Sequence, residues 1–215
     1  MAVGMSGKFI TFEGSEGSGK STQARLVYAY LRKRKAPVVF IREPGGVLLS
    51  ETIRKILLDA RHKNMTNECE TLLYMAARAQ LVEELIAPAL KRGAVVLCDR
   101  FLDSTFAYQG FGNGVSMDFI KKIGKVVTQG IRPDLTFVFD IDTKKGLSRT
   151  GKIKDRIEQR ALAYHNRVRG GYRRMAANEP GRIKLIRVNK TKEEIQEIVR
   201  GHINRLLGLN PGRLK

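Results

Sequence analysis

The sequence predicts an α/β fold: a five-stranded, mainly parallel sheet with helices on both faces. Three observations predict it. Short apolar, β-prone runs alternate with longer segments of helical apolar spacing along the chain. Each run is separated from the next by enough chain for a crossover, which parallel strands require. The 215 residues show no internal repeat and no linker, so one domain is expected over 8–208, with flexible tails at 1–7 and 209–215.

The elements follow in order. Residues 9–12 are apolar and β-prone and read as a buried strand. A glycine-rich segment, 14–21, leads into a helix over 22–34 carrying Ala24, Leu26, Val27, Tyr30 and Leu31 at helical spacing. A second strand at 37–41 ends in Arg42-Glu43-Pro44-Gly45-Gly46, a rigid then flexible turn. The Arg42-Glu43 pair reads either as a ligand contact at a strand's C-terminal end or as an ordinary turn salt bridge. A helix is expected over 51–60 and a long one over 66–90, with Thr66 as N-cap and Pro88 bending or closing its end. The third and most apolar strand, 94–98, ends in Asp99-Arg100. Residues 103–109 open a helix, and glycines in 110–114 suggest a mobile loop. An amphipathic helix over 117–128 precedes a fourth strand at 135–140. Residues 144–156 are basic and short of large apolar side chains, the composition of a lid over phosphates. A helix over 155–177, a strand at 183–188 and a helix over 192–207 close the domain.

The chemistry centres on Gly14-Ser15-Glu16-Gly17-Ser18-Gly19-Lys20-Ser21, which fits G-x-x-x-x-G-K-[ST] between a strand and a helix. The glycines let backbone N–H groups approach a polyphosphate, and the helix start adds its positive dipole end. Lys20 can neutralise the β- and γ-phosphates, and the Ser21 hydroxyl can ligate Mg²⁺. Asp99, an acid ending a hydrophobic strand, fits as the second oxygen holding Mg²⁺, with Arg100 free to clamp another phosphate. Asp103 reads as a cap of the next helix. Tyr74 and Arg78 lie one helical turn apart and share a face.

The net charge of +19 favours anionic partners such as nucleotides. No aromatic-interleaved basic ladder accompanies it, so nucleic acid is not expected as the main partner. No run is long and apolar enough for a membrane span. Cys69 and Cys98 are too few for a disulfide framework, which implies a reducing, cytoplasmic setting with both as core or near-core thiols. His62, His165 and His202 show no ligand spacing and read as surface or packing residues.

Taken together, the motifs resemble the thymidylate kinase family, within the nucleoside monophosphate kinases of the P-loop NTPase fold. The resemblance spans about residues 8–207. It rests on 12–22 (FEGSEGSGKST), 42–46 (REPGG), 76–78 (AAR), 99–101 (DRF), 104–110 (STFAYQG), 132–135 (RPDL) and 155–158 (DRIE). It implies transfer of the γ-phosphoryl group of ATP to dTMP, with Mg²⁺, in a homodimer packed through helices. The residues 14–22, including Thr22, would bind ATP. The resemblance assigns Glu16 to the sugar 3′-hydroxyl side, and Arg42, Arg54 and Arg100 to the dTMP phosphate. Tyr74 would stack on thymine and Arg78 would bind the base edge. Thr105 and Gln109 would complete the base pocket, Tyr108 would lie beside the sugar, and Asp155 and Glu158 near the sugar and lid.

The chain departs from the family pattern in places. Gly17 stands where some members carry an arginine, so the lid is expected to supply the catalytic guanidinium. The lid looks short and mixes lysine with arginine. Arg149 ranks before Arg156, and Lys152 and Lys154 suit planar bidentate contact less well. Tyr74 stands where Phe is more frequent, and Phe101 where Tyr or His is. A kinase for another nucleoside monophosphate or a deoxynucleoside, and a basic nucleic-acid-binding NTPase, are the alternatives; steeply salt-dependent binding would mark the last.

Overall fold

The computed structural model of the chain describes residues 7–151 and 154–210. The tail residues 1–6 and 211–215, and Lys152 of the expected lid, lie outside the described residues. Five strands form one all-parallel sheet in the order β2-β3-β1-β4-β5. They are β1 Lys8–Gly14, β2 Val38–Arg42, β3 Val95–Asp99, β4 Leu135–Asp140 and β5 Ile183–Arg187. The helices are α1 Lys20–Lys33, α2 Leu48–Leu58, α3 Asn67–Leu81, α4 Ala87–Lys91, α5 Leu102–Thr105, α6 Met117–Val127, α7 Thr143–Leu147, α8 Leu162–Asn178 and α9 Lys192–Leu207.

Strand alternation divides β1 between two layers. Ile10 and Phe12 face one side and pack with Val27 and Leu31 of α1 and Val199 and Ile203 of α9. Phe9 faces the other side and packs with Val82, Ile86 and Phe101. Thr11 and Glu13 share that second face and are fully buried, so each needs a polar partner. Thr11 finds one in Thr136 of the adjacent strand, at 2.8 Å.

The register aligns the ligand-binding edge. Asp99 pairs with Phe12 on one side and Arg42 on the other, while Gly14 pairs with Phe139. Chain order also reverses about β1, because β3 inserts on one side and β4 on the other. Open α/β sheets bind ligands at such a switch point.

Several expectations are refined. The helix expected over 66–90 runs from α3 through a π-helical segment, Val82–Ile86, into α4, which ends at Lys91 just after Pro88. Proline removes an i→i−4 bond, and the widened turn just before it accommodates that loss. Of the loop expected at 110–114, residues 110–112 belong to the π-helical Phe106–Gly112, where Gly110 and Gly112 are buried, and Gly114 alone of these glycines is exposed beyond it. Gly171 of α8 lets the Phe111 ring approach so closely that a Cβ there would sit 2.4 Å from it. The helix expected from residue 155 starts at Leu162 instead. Asp155 accepts from the N–H groups of Ile157 and Glu158, a local turn that competes with helix. Asp103 is no cap: it lies inside α5 and ion-pairs with Arg182 at 2.7 Å.

Cys69 also departs from expectation. It is exposed near the start of α3, where Thr66 caps its N–H, while Cys98 is buried. Among the described residues, no helix is long and apolar enough to cross a membrane.

Neighbouring glycines of α8 offer a test of this packing. Nothing lies within 4 Å of a Cβ built on Gly170. Gly170→Ala is expected to stabilise by up to about 1 kcal/mol, through helix propensity. Gly171→Ala is expected to destabilise by about 1–3 kcal/mol, through overpacking against Phe111. Urea unfolding midpoints of the two variants decide it; equal shifts would contradict the packing.

Candidate active site

The phosphate loop joins β1 to α1. Gly14, Gly17 and Gly19 have φ of 137°, 65° and 84°, values that side chains other than glycine adopt at a cost. At Gly17 a Cβ would lie 2.1 Å from the Gly146 carbonyl oxygen, so the segment after β4 occupies the space a side chain would need. The N-terminus of α1 has no side-chain cap, leaving its first N–H groups directed at the loop. Glu16, Gly17, Lys20 and Ser21 line a cleft of about 290 Å³. Ser15 and Ser18 are buried beneath it, and Gly19 and Thr22 are exposed. Ser18 Oγ is buried without a hydrogen-bond partner, a donor awaiting an acceptor.

Burial lowers the Lys20 pKa to about 8, helped by Arg100 and opposed by Asp99, Glu16 and Glu13. Ser21 and Asp99 line the same cleft. A hydroxyl and a carboxylate are hard oxygen donors, the set that suits Mg²⁺ held jointly with a phosphate. Among the described residues, no group of three or more His, Cys, Asp or Glu side chains is arranged to hold a metal by itself.

Arg100 is the hub of the site. Its φ of 72° is left-handed, a conformation that costs about 1–3 kcal/mol in a residue other than glycine. Its N–H donates to Phe12 O at 3.0 Å. Nη2 donates to Glu16 Oε1 at 3.2 Å and to the Tyr108 hydroxyl at 3.0 Å. Tyr108 in turn donates to Glu16 Oε1 at 2.6 Å. Burial raises the Glu16 pKa, but His165, Arg100, Lys20 and Tyr108 together hold it well below the ordinary carboxylate range. His165 is fully buried, with Nδ1 3.5 Å from Glu16 Oε2, so it packs at the site rather than on the surface.

The acceptor wall comes from β2, α2, α3 and the α5 region. Arg42, Arg54, Tyr74, Arg78, Thr105, Tyr108 and Gln109 all line the cleft. Arg42 and Glu43 do not pair with each other, because successive strand residues point to opposite faces. Arg42 Nη2 donates to both Glu51 oxygens, at 3.0 and 3.1 Å, and Arg54 donates to Pro44 O at 2.9 Å. Glu43 instead forms a buried pair with Arg78 at 2.7 Å. Arg78 also donates to Thr105 Oγ1 at 2.9 Å and Phe101 O at 3.1 Å, so the position where Arg78 meets the cleft is fixed on three sides. Gln109 Nε2 donates to the buried Glu70 at 2.9 Å, which leaves its carbonyl oxygen available.

Asp155 and Glu158 line the cleft as well. Arg156 does not serve as a free guanidinium. It is buried, its Nε donates to Leu57 O at 2.8 Å, and its Nη2 ion-pairs with Glu70 at 2.6 Å. Arg149 is exposed, with Nη1 3.4 Å from Gly17 O beside the phosphate loop. Lys154 is exposed too.

Sequence reasoning missed Glu13, Ser104, Tyr172 and Glu70. Ser104 Oγ and the Tyr172 hydroxyl donate to Glu13 Oε2 at 2.5 and 2.9 Å, and Phe101 N–H donates to Oε1 at 2.7 Å. Burial and then Asp103 push the Glu13 carboxyl up to about 7, against Ser104, Arg100 and Phe101. An acid inside an apolar strand signals a buried network. Tyr172, far along the chain on α8, carries no such signal.

The thymidylate kinase family model matches residues 12–199. A thymidylate kinase of Roseiflexus sp. (strain RS-1) is 46% identical, over 88% of this chain and 90% of its own length. One from Symbiobacterium thermophilum is 44% identical, over 93% and 94%. The crystal structure of thymidylate kinase from Ehrlichia chaffeensis superposes with a TM-score of 0.76 at 33% identity, covering 92% of this chain and 98% of that one. This chain, with its all-parallel sheet and its phosphate loop between β1 and α1, therefore belongs to the thymidylate kinase family.

Proposed function

We propose that the protein transfers the γ-phosphoryl group of ATP to dTMP, giving dTDP and ADP. The observation that carries this reading is that phosphate-loop residues and the acceptor wall of Arg42, Arg54, Tyr74, Arg78 and Arg100 line one cleft. The ATP β- and γ-phosphates lie against the loop N–H groups and Lys20. Ser21 and Asp99 would hold Mg²⁺, whose charge, when bound, offsets that of the phosphates. Arg42, Arg54 and Arg100 receive the dTMP phosphate, and Tyr74 offers a flat face for thymine. Arg78, with Thr105 and Gln109, presents hydrogen-bonding groups to the base edge. Glu16 and Tyr108 face the sugar.

Phosphoryl transfer asks little covalent chemistry of a protein, so positioning and charge stabilisation dominate. An attacking oxygen of the dTMP phosphate must be aligned with the γ-phosphorus while cations absorb the charge spreading over its oxygens. Arg149, exposed and 3.4 Å from Gly17 O of the phosphate loop, is the lid group that supplies this. Closure of 144–156 over both nucleotides would exclude water and limit ATP hydrolysis. The exposed Leu48, Leu49 and Ile56 of α2 and Leu72 of α3 support a homodimer packed through helices. A solution mass equal to one chain would exclude it. The setting proposed is the cytoplasm.

The deciding experiment is ADP release with Mg·ATP and each of dTMP, dUMP, UMP, CMP, AMP, GMP and thymidine. Strong turnover on dTMP, weaker on dUMP and little on the others is expected; preference for another acceptor would overturn the base-pocket assignment. Arg149→Ala is expected to lower kcat by roughly 10³–10⁵-fold, as for other arginine fingers. An unchanged kcat would move the role to another group.

The Lys20 pKa adds a pH signature. Lys20 is charged below about pH 8 and neutral above it in the free enzyme. The value of kcat/KM for ATP is therefore expected to fall as pH rises through about 8. Bound phosphates restore the charge, so kcat at saturation should hold to higher pH. A flat kcat/KM profile through that range would show that Lys20 keeps its ordinary pKa.

A further inference from the structure

Arg100 carries a problem that its proposed role makes acute. Its backbone is left-handed, its guanidinium has several possible directions, and the phosphate grip needs one. The groups that choose the direction lie behind it. Nη1 donates to Ser104 Oγ at 3.2 Å and to the Tyr172 hydroxyl at 3.3 Å. Each of these hydroxyls has one hydrogen; both oxygens lie within hydrogen-bond reach of Glu13 Oε2, at 2.5 and 2.9 Å, and 2.8 Å from each other. With each hydrogen committed inside this cluster, both hydroxyls present a lone pair to Arg100. The other Glu13 oxygen accepts from Phe101 N–H, the peptide immediately after the left-handed residue. One buried carboxylate thus fixes both the turn that carries Arg100 and the acceptors that aim its side chain.

We propose that Glu13 is a positioning residue for the acceptor phosphate, acting through the Ser104 and Tyr172 hydroxyls on Arg100. The proposal rests on the reading that Arg100 grips the dTMP phosphate. Glu13 and Tyr172 stand outside the cleft lining and act from behind Ser104 and Arg100, which line it. Ser104 and Thr105 lie on one turn of α5, so the same turn that seats the relay also presents Thr105 to Arg78. Tyr172 anchors the relay to α8, whose ring packing with Tyr108 continues toward Glu16.

Two variants keep the shape and alter the relay. Tyr172→Phe deletes one hydroxyl and leaves the buried ring. Glu13→Gln keeps a carbonyl for Phe101 N–H, which forces its NH₂ toward Ser104 and Tyr172. That group donates, so it takes the lone pairs that Arg100 uses. KM for dTMP and for ATP would be measured separately in the full chain, alongside thermal unfolding, for both variants, for Arg100→Ala and for Arg100→Ala/Tyr172→Phe.

Both relay variants are expected to raise KM for dTMP roughly tenfold, the scale of a lost hydrogen bond to a charged group. KM for ATP should stay within about twofold, and in the Arg100→Ala background Tyr172→Phe should add no more than about twofold, since coupled residues are not additive. A loss that falls equally on both KM values, or that adds in full to Arg100→Ala, would mean a merely structural role and overturn the relay. If Arg100→Ala raises KM for dTMP while both relay variants leave it unchanged, the relay fails and the assignment of Arg100 stands. If Arg100→Ala itself leaves KM for dTMP unchanged, the assignment of Arg100 falls, and the relay with it.

Discussion

The cleft must hold Lys20, Arg42, Arg54, Arg78 and Arg100 near one another before any anion arrives. Two unit charges 4 Å apart repel by roughly 4 kcal/mol at an effective dielectric of about 20. Several such pairs would rival the roughly 5–15 kcal/mol that separates a folded domain from its unfolded chain. The structure answers with carboxylates placed between the cations. Glu16 lies against Arg100, Glu51 against Arg42 and Glu43 against Arg78. Lys20, which ion-pairs with no carboxylate among the described residues, has its pKa lowered first by burial and then by Arg100. Incoming phosphates meet cations already desolvated and aimed, which is where preorganised electrostatic catalysis gains its strength.

Placing those charges is the work of the parallel sheet. All five strands end on one edge, and the register sets Asp99 beside Arg42 and Phe12, two residues before the loop begins. The helices then supply what strands cannot. The uncapped N-terminus of α1 faces the loop, α3 brings Tyr74 and Arg78 one turn apart, and α8 closes the back of the site with His165 and Tyr172. The second half of the expected lid is anchored rather than free at its distal end, because Arg156 bonds α2 through Leu57 and pairs with Glu70 of α3. That leaves Arg149 as the arginine of this segment that faces solvent beside the phosphates' binding loop.

Glu70 illustrates how buried charge organises regions distant in sequence. It is fully buried and takes Arg156 and Arg160 as ion partners, with Gln109 and Asn113 donating to its other oxygen. Four residues from two separate stretches of the chain, 109–113 and 156–160, are registered by one acid on α3. Removing one partner from such a network leaves a buried charge uncompensated, which is why these groups are held so firmly.

The sequence by itself determined the strands, the order of the elements, the phosphate loop and the family. Those features are local: a strand's apolar run, a loop's glycines and a cap such as Thr66 act within a few residues, and a spaced motif set survives as text. It also named most of the charged groups that line the cleft, from Glu16 to Glu158. Only the tertiary structure decided which partner each charge takes. Arg42 and Glu43 are adjacent in sequence yet bind Glu51 and Arg78, because the pleat turns them apart. Arg149 and Arg156 look alike in the chain, but one is exposed at the loop and the other is buried under Glu70. The glycines at 110–112 read as a loop until the approach of α8 buries them. Glu13, Ser104 and Tyr172 lie up to 159 positions apart and meet at one oxygen. Burial and pairing are properties of the packed chain, and no spacing rule encodes them.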